Sequence, residues 1–412
     1  VSSARVEQIH LNYGNGRQLA CEIAAEQVVA TTPLPQPLDN LSQEIQACLQ
    51  SPLDYPPLQQ ALIAEDRVLL ALDHDTPCAA QIIAELWTVF ASRCVNPDNV
   101  LILQPPGPSG STPGDPRTDL PADVRSRIGW RVHDPQQSDA CSYLASSMSS
   151  ERIYLAREVC DADLVISIGP TAYDALLGHR GSNSVFYPGL STAEAMHRAH
   201  GQGHEELGPD DERPLRQLTD EIAWLMGTQF TLQTVCAAQD QVAHVVAGAV
   251  ESVFQRSKRL LSEHWKVRLP RRVDMVIAAV DAAADGYGWH RIGAALTAAR
   301  SLVTNGGKVV VLSDIDEAPG SGIRLIRQCL DATDALKPLR LEAPGDLVPA
   351  TQLVNTLNWA NVYLLSQLDV QLVEDLFMVP LGEQSEVQRL LASGGSCAFL
   401  PSAQNVCGVT DS

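Results

Sequence analysis

Three groups of residues have the types and spacing for chemistry. Asp73-His74-Asp75-Thr76 follow directly on the apolar run RVLLAL (67–72). Side chains leaving the carboxyl end of a buried strand line a crevice in open α/β sheets. A carboxylate placed there can act as a base or hold a ligand hydroxyl. Turn formation and helix capping account for Asp75 and Thr76 equally well. His197, His200 and His204 are spaced three and four apart, which suits metal binding from one helix face. Gly201 and Gly203 argue that the helix stops short of His204, and the competing reading is a surface-facing helix end. Gly181-Ser182-Asn183-Ser184 can offer backbone N–H groups and hydroxyls to an anion, or simply form a tight turn.

Other catalytic signatures are missing. No phosphate-binding GxxxxGK[ST] loop occurs, and no GxGxxG follows a strand; GNGRQLA (14–20) lacks the second spacing. There is no GxSxG for an esterase-type serine.

The elements that must position these residues read as α/β. RVLLAL, the helical stretch CAAQIIAELWTVFASR and NVLILQ (99–104) form a strand–helix–strand unit, which implies a parallel sheet. DLVISIG (163–169) is a further buried strand. The turn GHRGSNSVFYPG (178–189) follows it, and then a helix expected to start at Ser191, with Glu194 completing a capping box. The breaker-rich loop PPGPSGSTPGDP (105–116) leaves a strand end and reads either as a ligand loop or as surface elaboration. Before RVLLAL, short strand-like pieces and Pro-rich turns surround one helix, LSQEIQACLQ. The basic stretch KVRLPRR (266–272) marks a boundary. Beyond it, strands VDMVIAAV (273–280), KVVVLS (308–313), NVYLLS (361–366) and SCAFLP (396–401) alternate with helices near 289–304, 321–331, 347–358, 368–377 and 384–393, with Asn305-Gly306-Gly307 as a helix stop. The expected architecture is two α/β domains, 1–265 and 266–412, built from parallel-sheet βαβ units with a cleft between them.

Composition bounds the partners. The 412 residues carry 29 Lys+Arg against 49 Asp+Glu, a net charge of −20, with 45% hydrophobic residues. That describes a folded globular protein. Its acidic balance disfavours nucleic acid and anionic membranes. No apolar run reaches bilayer-spanning length, and the polar start VSSARVEQIHLNYGNG does not read as a signal peptide. The ten cysteines contain no CxxC pair, so reduced core thiols in a cytoplasmic protein are expected.

Several segments, in order, resemble the nickel-pincer-nucleotide lactate racemases. They are QACLQSPLDYPPL (46–58), RVLLALDHDTP, VHDP (132–135), AREVCDADLVISIG (156–169), the Gly178 to Pro188-Gly189 span and LTAARSLVTNGGKVVVLSDIDEAPGSG (296–322). The resemblance implies the two-domain fold. It also implies racemisation of a 2-hydroxy acid by hydride exchange with a nickel-bearing pyridinium nucleotide. Two histidines would move the hydroxyl proton, an arginine would hold the substrate, a lysine would tether the cofactor, and a histidine would ligate nickel.

Residue by residue, the match departs from that machinery. Thr76 stands where the family's D-x-T-R-P has its arginine, and a hydroxyl cannot replace a guanidinium fork. The first catalytic histidine falls in Gly107-Pro108-Ser109-Gly110, and the second on Asp174. The tethering lysine falls on Ser184. The second domain's D-x-N-x-Y-Q-x-x-K start falls on Asp285 to Gly293, with most polar contacts replaced. Only the nickel-ligand position is kept, at His200 within AMHRAH.

The resemblance therefore implies a divergent homologue without the standard hydride-transfer machinery. It would be a pseudoenzyme, or a binder of a small anionic metabolite or nucleotide, with no cofactor assigned. The alternative is an active racemase or epimerase that holds the nickel-pincer nucleotide untethered. Its metal ligand would be His200, its cofactor contacts Asp73, Thr76, Ser182 and Ser184, and its proton-transfer pair Asp174 and His179. His133 and His290 could join His179 in a rearranged acid–base set or merely line a cleft. A third reading is an interaction scaffold using the acidic surface.

Overall fold

The computed structural model describes residues 5–107, 113–148, 150–201, 207–281 and 288–411. The centre of the 105–116 loop, His204, Gly203 and the Asp285–Tyr287 segment lie outside the described residues. Two compact units are formed, Pro35–Glu263 and a second that joins Val1–Leu34 to His264–Ser412.

The Pro35–Glu263 unit is built on six strands: β1 (Val68–Leu72), β2 (Val100–Gln104), β3 (Gly129–Val132), β4 (Leu164–Pro170), β5 (Phe230–Cys236) and β6 (Val242–Ala249). Their order is β6-β5-β4-β1-β2-β3, all parallel except the β5–β6 pair. The reason β1 reads as an unbroken apolar run is that both faces of the sheet are covered. Val68, Leu70 and Leu72 pack with Ile45, Ile82, Leu86 and Phe90 on one side. Leu69 and Ala71 pack with Leu155, Phe186, Leu190 and Ile222 on the other. Helix Leu41–Gln50 is capped by Asn40, which accepts from Gln43 N–H. Helix Ala79–Ser92 follows β1 and buries Ile82, Ile83, Leu86 and Phe90.

The other unit carries a parallel sheet in the order Val379–Leu381, Asn361–Leu365, Val303–Leu312, Val273–Ala279, Cys397–Leu400, Val28–Thr31. The first-domain expectation of 1–265 is corrected at its start. Val28–Thr31 adds a parallel strand to Cys397–Leu400, so the first 34 residues belong with the C-terminal part. Hydrophobic pattern cannot show this, because it marks a strand but not its neighbour.

Three local expectations also change. Thr192, not Ser191, caps helix Ala193–His200, because Ser191 Oγ donates to Tyr154 O at 2.6 Å. Asn305-Gly306-Gly307 lies inside strand Val303–Leu312, and the preceding helix ends at Leu302. Neither Asp75 nor Thr76 caps helix Ala79–Ser92, whose N-cap is Cys78. All ten cysteines are free thiols. Among the described residues no helix is long and apolar enough to cross a membrane.

Candidate functional site at the sheet switch point

From β1 the chain winds outward through β2 and β3, whereas β4 and β5 lie on β1's other side. The β1–β4 junction is therefore the switch point, where connections diverge and leave a crevice at the strands' carboxyl ends. Asp73 leaves β1 there, buried, and its N–H donates to Ile168 O of β4 at 2.8 Å. Opposite it stands Gly169, where a Cβ would come within 2.8 Å of Asp73 Cβ.

Four charged or titratable side chains interlock at this point. Asp73 Oδ1 lies 2.9 Å from His74 Nδ1. His74 Nε2 is 3.5 Å from both Asp75 Oδ2 and Arg180 Nη1, and Arg180 Nη2 donates to Asp75 Oδ2 at 2.7 Å. Burial would raise the Asp73 carboxyl, but the Arg180 charge, then His74, hold it below the usual range. Burial opposes protonation of His74, but the carboxylates of Asp75 and Asp73 outweigh it and raise the imidazole. Arg180 stays charged: burial works against it, and Asp75 and Asp73 more than offset that. Thr76 is buried beside this cluster. Its Oγ1 donates to Asp73 O at 2.7 Å and closes the turn.

Arg180 arrives on a short hairpin, Ala172–Asp174 paired with Gly178–Arg180. Successive strand residues face opposite sides, so Asp174 and Arg180 share one face while His179 lies on the other, opposite Tyr173. The expected Asp174–His179 proton-transfer pair is therefore not brought together. Asp174 Oδ1 accepts from Leu176 and Leu177 N–H at 2.8 and 2.7 Å, shaping the hairpin turn. His179 is buried with Nε2 4.0 Å from Asp210 Oδ1. Burial, then the charge of Lys258, pushes it down to about 4, so it is a neutral imidazole at physiological pH.

The 181–185 turn is held from below. Gly181 has φ 126° and Ser182 φ 52°, conformations that suit glycine. A Cβ on Gly181 would come within 2.9 Å of Gln233 Oε1 and 3.0 Å of Thr171 Oγ1. Ser184 Oγ accepts from Gly181 N–H at 2.9 Å. Asn183 Nδ2 donates to Asp220, which Arg216 clamps at 2.6 and 2.9 Å. Around this turn and the ends of β4 and β5, Thr171 Oγ1, Ser182 Oγ, Asn183 Oδ1, Gln233 Oε1 and Thr234 Oγ1 are buried without a hydrogen-bond partner among the described residues. Buried polar atoms are normally paired, so such a concentration asks for a polar ligand or water.

His200 ends helix Ala193–His200, half-buried, and His197 beside it is exposed. Burial lowers the His200 imidazole, Asp174 opposing and His197 assisting, so it is neutral and able to ligate. Among the described residues no group of three or more His, Cys, Asp or Glu is placed to hold a metal ion. His133 is buried with Nε2 2.7 Å from Ser191 O, and His290 lies on helix Trp289–Leu302 of the other unit. Sequence reasoning missed Arg180, Gln233 and Thr171. Arg180 lies inside the GHRGSNS turn, and its charge is the available signal.

A doubly wound, mostly parallel α/β unit with a polar switch-point site defines the class of this protein. Residues 13–207 match the family model described as lactate racemase N-terminal domain. A lactate racemase from Thermoanaerobacterium thermosaccharolyticum is 20% identical over 372 residues, 86% of this chain and 87% of that one. The lactate racemase apoprotein structure from the same organism matches with TM-score 0.83 at 17% identity, covering 98% of this chain and 100% of that chain. A Thermotoga maritima protein structure matches with TM-score 0.70 at 12% identity, over 92% of this chain and 100% of that chain. Over residues 13–207 the chain thus carries the pattern of a lactate racemase N-terminal domain, and it is similar to lactate racemases at low identity.

Proposed function

We propose that this protein binds a small anionic metabolite, a 2-hydroxy acid or a nucleotide, at the β1–β4 switch point, without the family's standard hydride-transfer chemistry. One observation carries the reading. At three positions matched to family machinery, the side chains are engaged with the local backbone: Thr76 on Asp73 O, Asp174 on two N–H groups, and Ser184 on Gly181 N–H. These residues hold turns and do no proton or hydride work. A covalently tethered pyridinium nucleotide does not fit, because Ser184 cannot form the thioamide, so no step is derived through that group. The unpartnered hydroxyls of Thr171, Ser182 and Thr234 support a polar ligand.

The test is elemental and mass analysis of protein purified from a host that makes the nickel-pincer nucleotide, together with a lactate racemisation assay. The expected result is no stoichiometric nickel and no racemisation. Bound nickel with nucleotide and turnover would overturn the reading. The neutral, half-buried His200 favours one second reading, an untethered nickel-pincer nucleotide in an active racemase. A His200→Ala variant that keeps full metal content and turnover would remove it.

A further inference from the structure

We propose that Arg180 is the anion-binding group of this site and that ligand binding takes up a proton on His74. This rests on the small-anion reading above and names how the anion is held.

The geometry turns on His74 Nε2. An ionised carboxylate only accepts hydrogen bonds, so at 2.9 Å from Asp73 Oδ1 the Nδ1 of His74 carries a hydrogen. That leaves Nε2 with two neighbours at 3.5 Å, the Arg180 guanidinium and the Asp75 carboxylate. A neutral imidazole presents a lone pair there, and its partner is Arg180. A protonated imidazole presents an N–H, and its partner is Asp75. Protonation thus exchanges one neighbour for the other.

Arg180 holds Asp75 at 2.7 Å, so in the neutral state its guanidinium is committed to Asp75 and to His74. Two carboxylates then face one guanidinium, an excess of one negative charge that repels an anion. Asp174, on the same face of the hairpin as Arg180, adds to that repulsion. When His74 is protonated, two cations balance Asp73 and Asp75, and His74 takes a share of Asp75. Arg180 can then turn its planar fork to a carboxylate or sulfate-like oxyanion, the geometry in which guanidinium binds best.

The probes are L-lactate and sulfate, neither of which titrates between pH 6 and 8. Calorimetric titration of the full chain in buffers of differing ionisation enthalpy should show uptake approaching one proton per anion. Affinity should fall up to about tenfold per pH unit as His74 deprotonates. His74→Gln should flatten the pH profile and remove the uptake. Arg180→Gln should abolish binding. Asp75→Asn, which frees Arg180 from its competitor, should tighten binding about tenfold at pH 8, a gain that misfolding cannot mimic. Binding without proton uptake, uptake that persists in His74→Gln, or weaker binding in Asp75→Asn would overturn the proposal while leaving the small-anion reading intact. Failure of the wild-type protein to bind either probe at any pH would overturn both.

Discussion

Replacing Arg180 by Met tests whether the switch-point cluster is an integrated electrostatic unit. Arg180 and Asp75 side chains are only 16% and 14% exposed, and 2.7 Å apart. Met keeps most of the side-chain volume, so the loss is chiefly the charge and its hydrogen bonds. Removing one partner of a buried pair leaves an uncompensated charge and costs about 3–5 kcal/mol. The remaining exposure and the proximity of His74 place this case near the lower end, about 3 kcal/mol. For a unit of this size that corresponds to a fall of about 6–12 °C in the melting transition. Scanning calorimetry at pH 7 reads the shift directly. Asp75→Asn in the same background removes the stranded charge, so the double variant should recover at least half of the loss. The penalty should also shrink in acid, where the carboxylate of the Arg180→Met variant can be neutralised by protonation. A loss below about 1 kcal/mol, or strictly additive effects of the two substitutions, would show that the cluster is solvent-screened like a surface pair.

Three further outcomes follow from the same geometry. Ser184→Ala and Thr76→Val each remove one hydrogen bond to the backbone and should each cost about 1 kcal/mol by denaturant titration; a larger effect of either on anion binding than on stability would contradict their turn-holding role. Gly181→Ala places a methyl within 3.0 Å of Gln233 and Thr171 at φ 126°, and should cost more than about 2 kcal/mol or prevent folding; a wild-type melting curve would refute the close approach. His179, pushed down to about 4 chiefly by burial, is neutral in the folded state but titrates near its ordinary value when unfolded. Its contribution is therefore fully present above about pH 6.5 and lost as pH falls toward 4, because the unfolded chain binds the extra proton. Histidine NMR titration should find it neutral at pH 5.5, and a charged ring there would refute the assignment.

Much of the site was legible before folding was considered. Asp73 and Thr76 follow an apolar run that must be a buried strand, and the 181–184 turn is marked by its glycine and short polar residues. The resemblance implied replacements at Thr76, Asp174 and Ser184. Their consequence was not legible there. Whether a serine hydroxyl faces a ligand or its own turn depends on φ values and on what packs beneath, and Ser184 turns to Gly181 N–H. Arg180 went unnoticed because its partner, Asp75, is 105 residues away in the chain. The expected Asp174–His179 pair failed for a related reason. The two residues are near in sequence, but strand alternation sends them to opposite faces.

By itself, the sequence determined the α/β class, the strands with both faces buried and the likeness to lactate racemases. Each of these is written in local pattern: period, composition and spacing. The tertiary structure alone decided that Val28–Thr31 completes the C-terminal sheet, and that the switch point falls between β1 and β4. It alone joined Asp73, His74, Asp75 and Arg180 into one cluster. Those are pairings between distant segments. Strand order and charge pairing depend on which surfaces meet when the core closes, and local pattern carries no record of that choice.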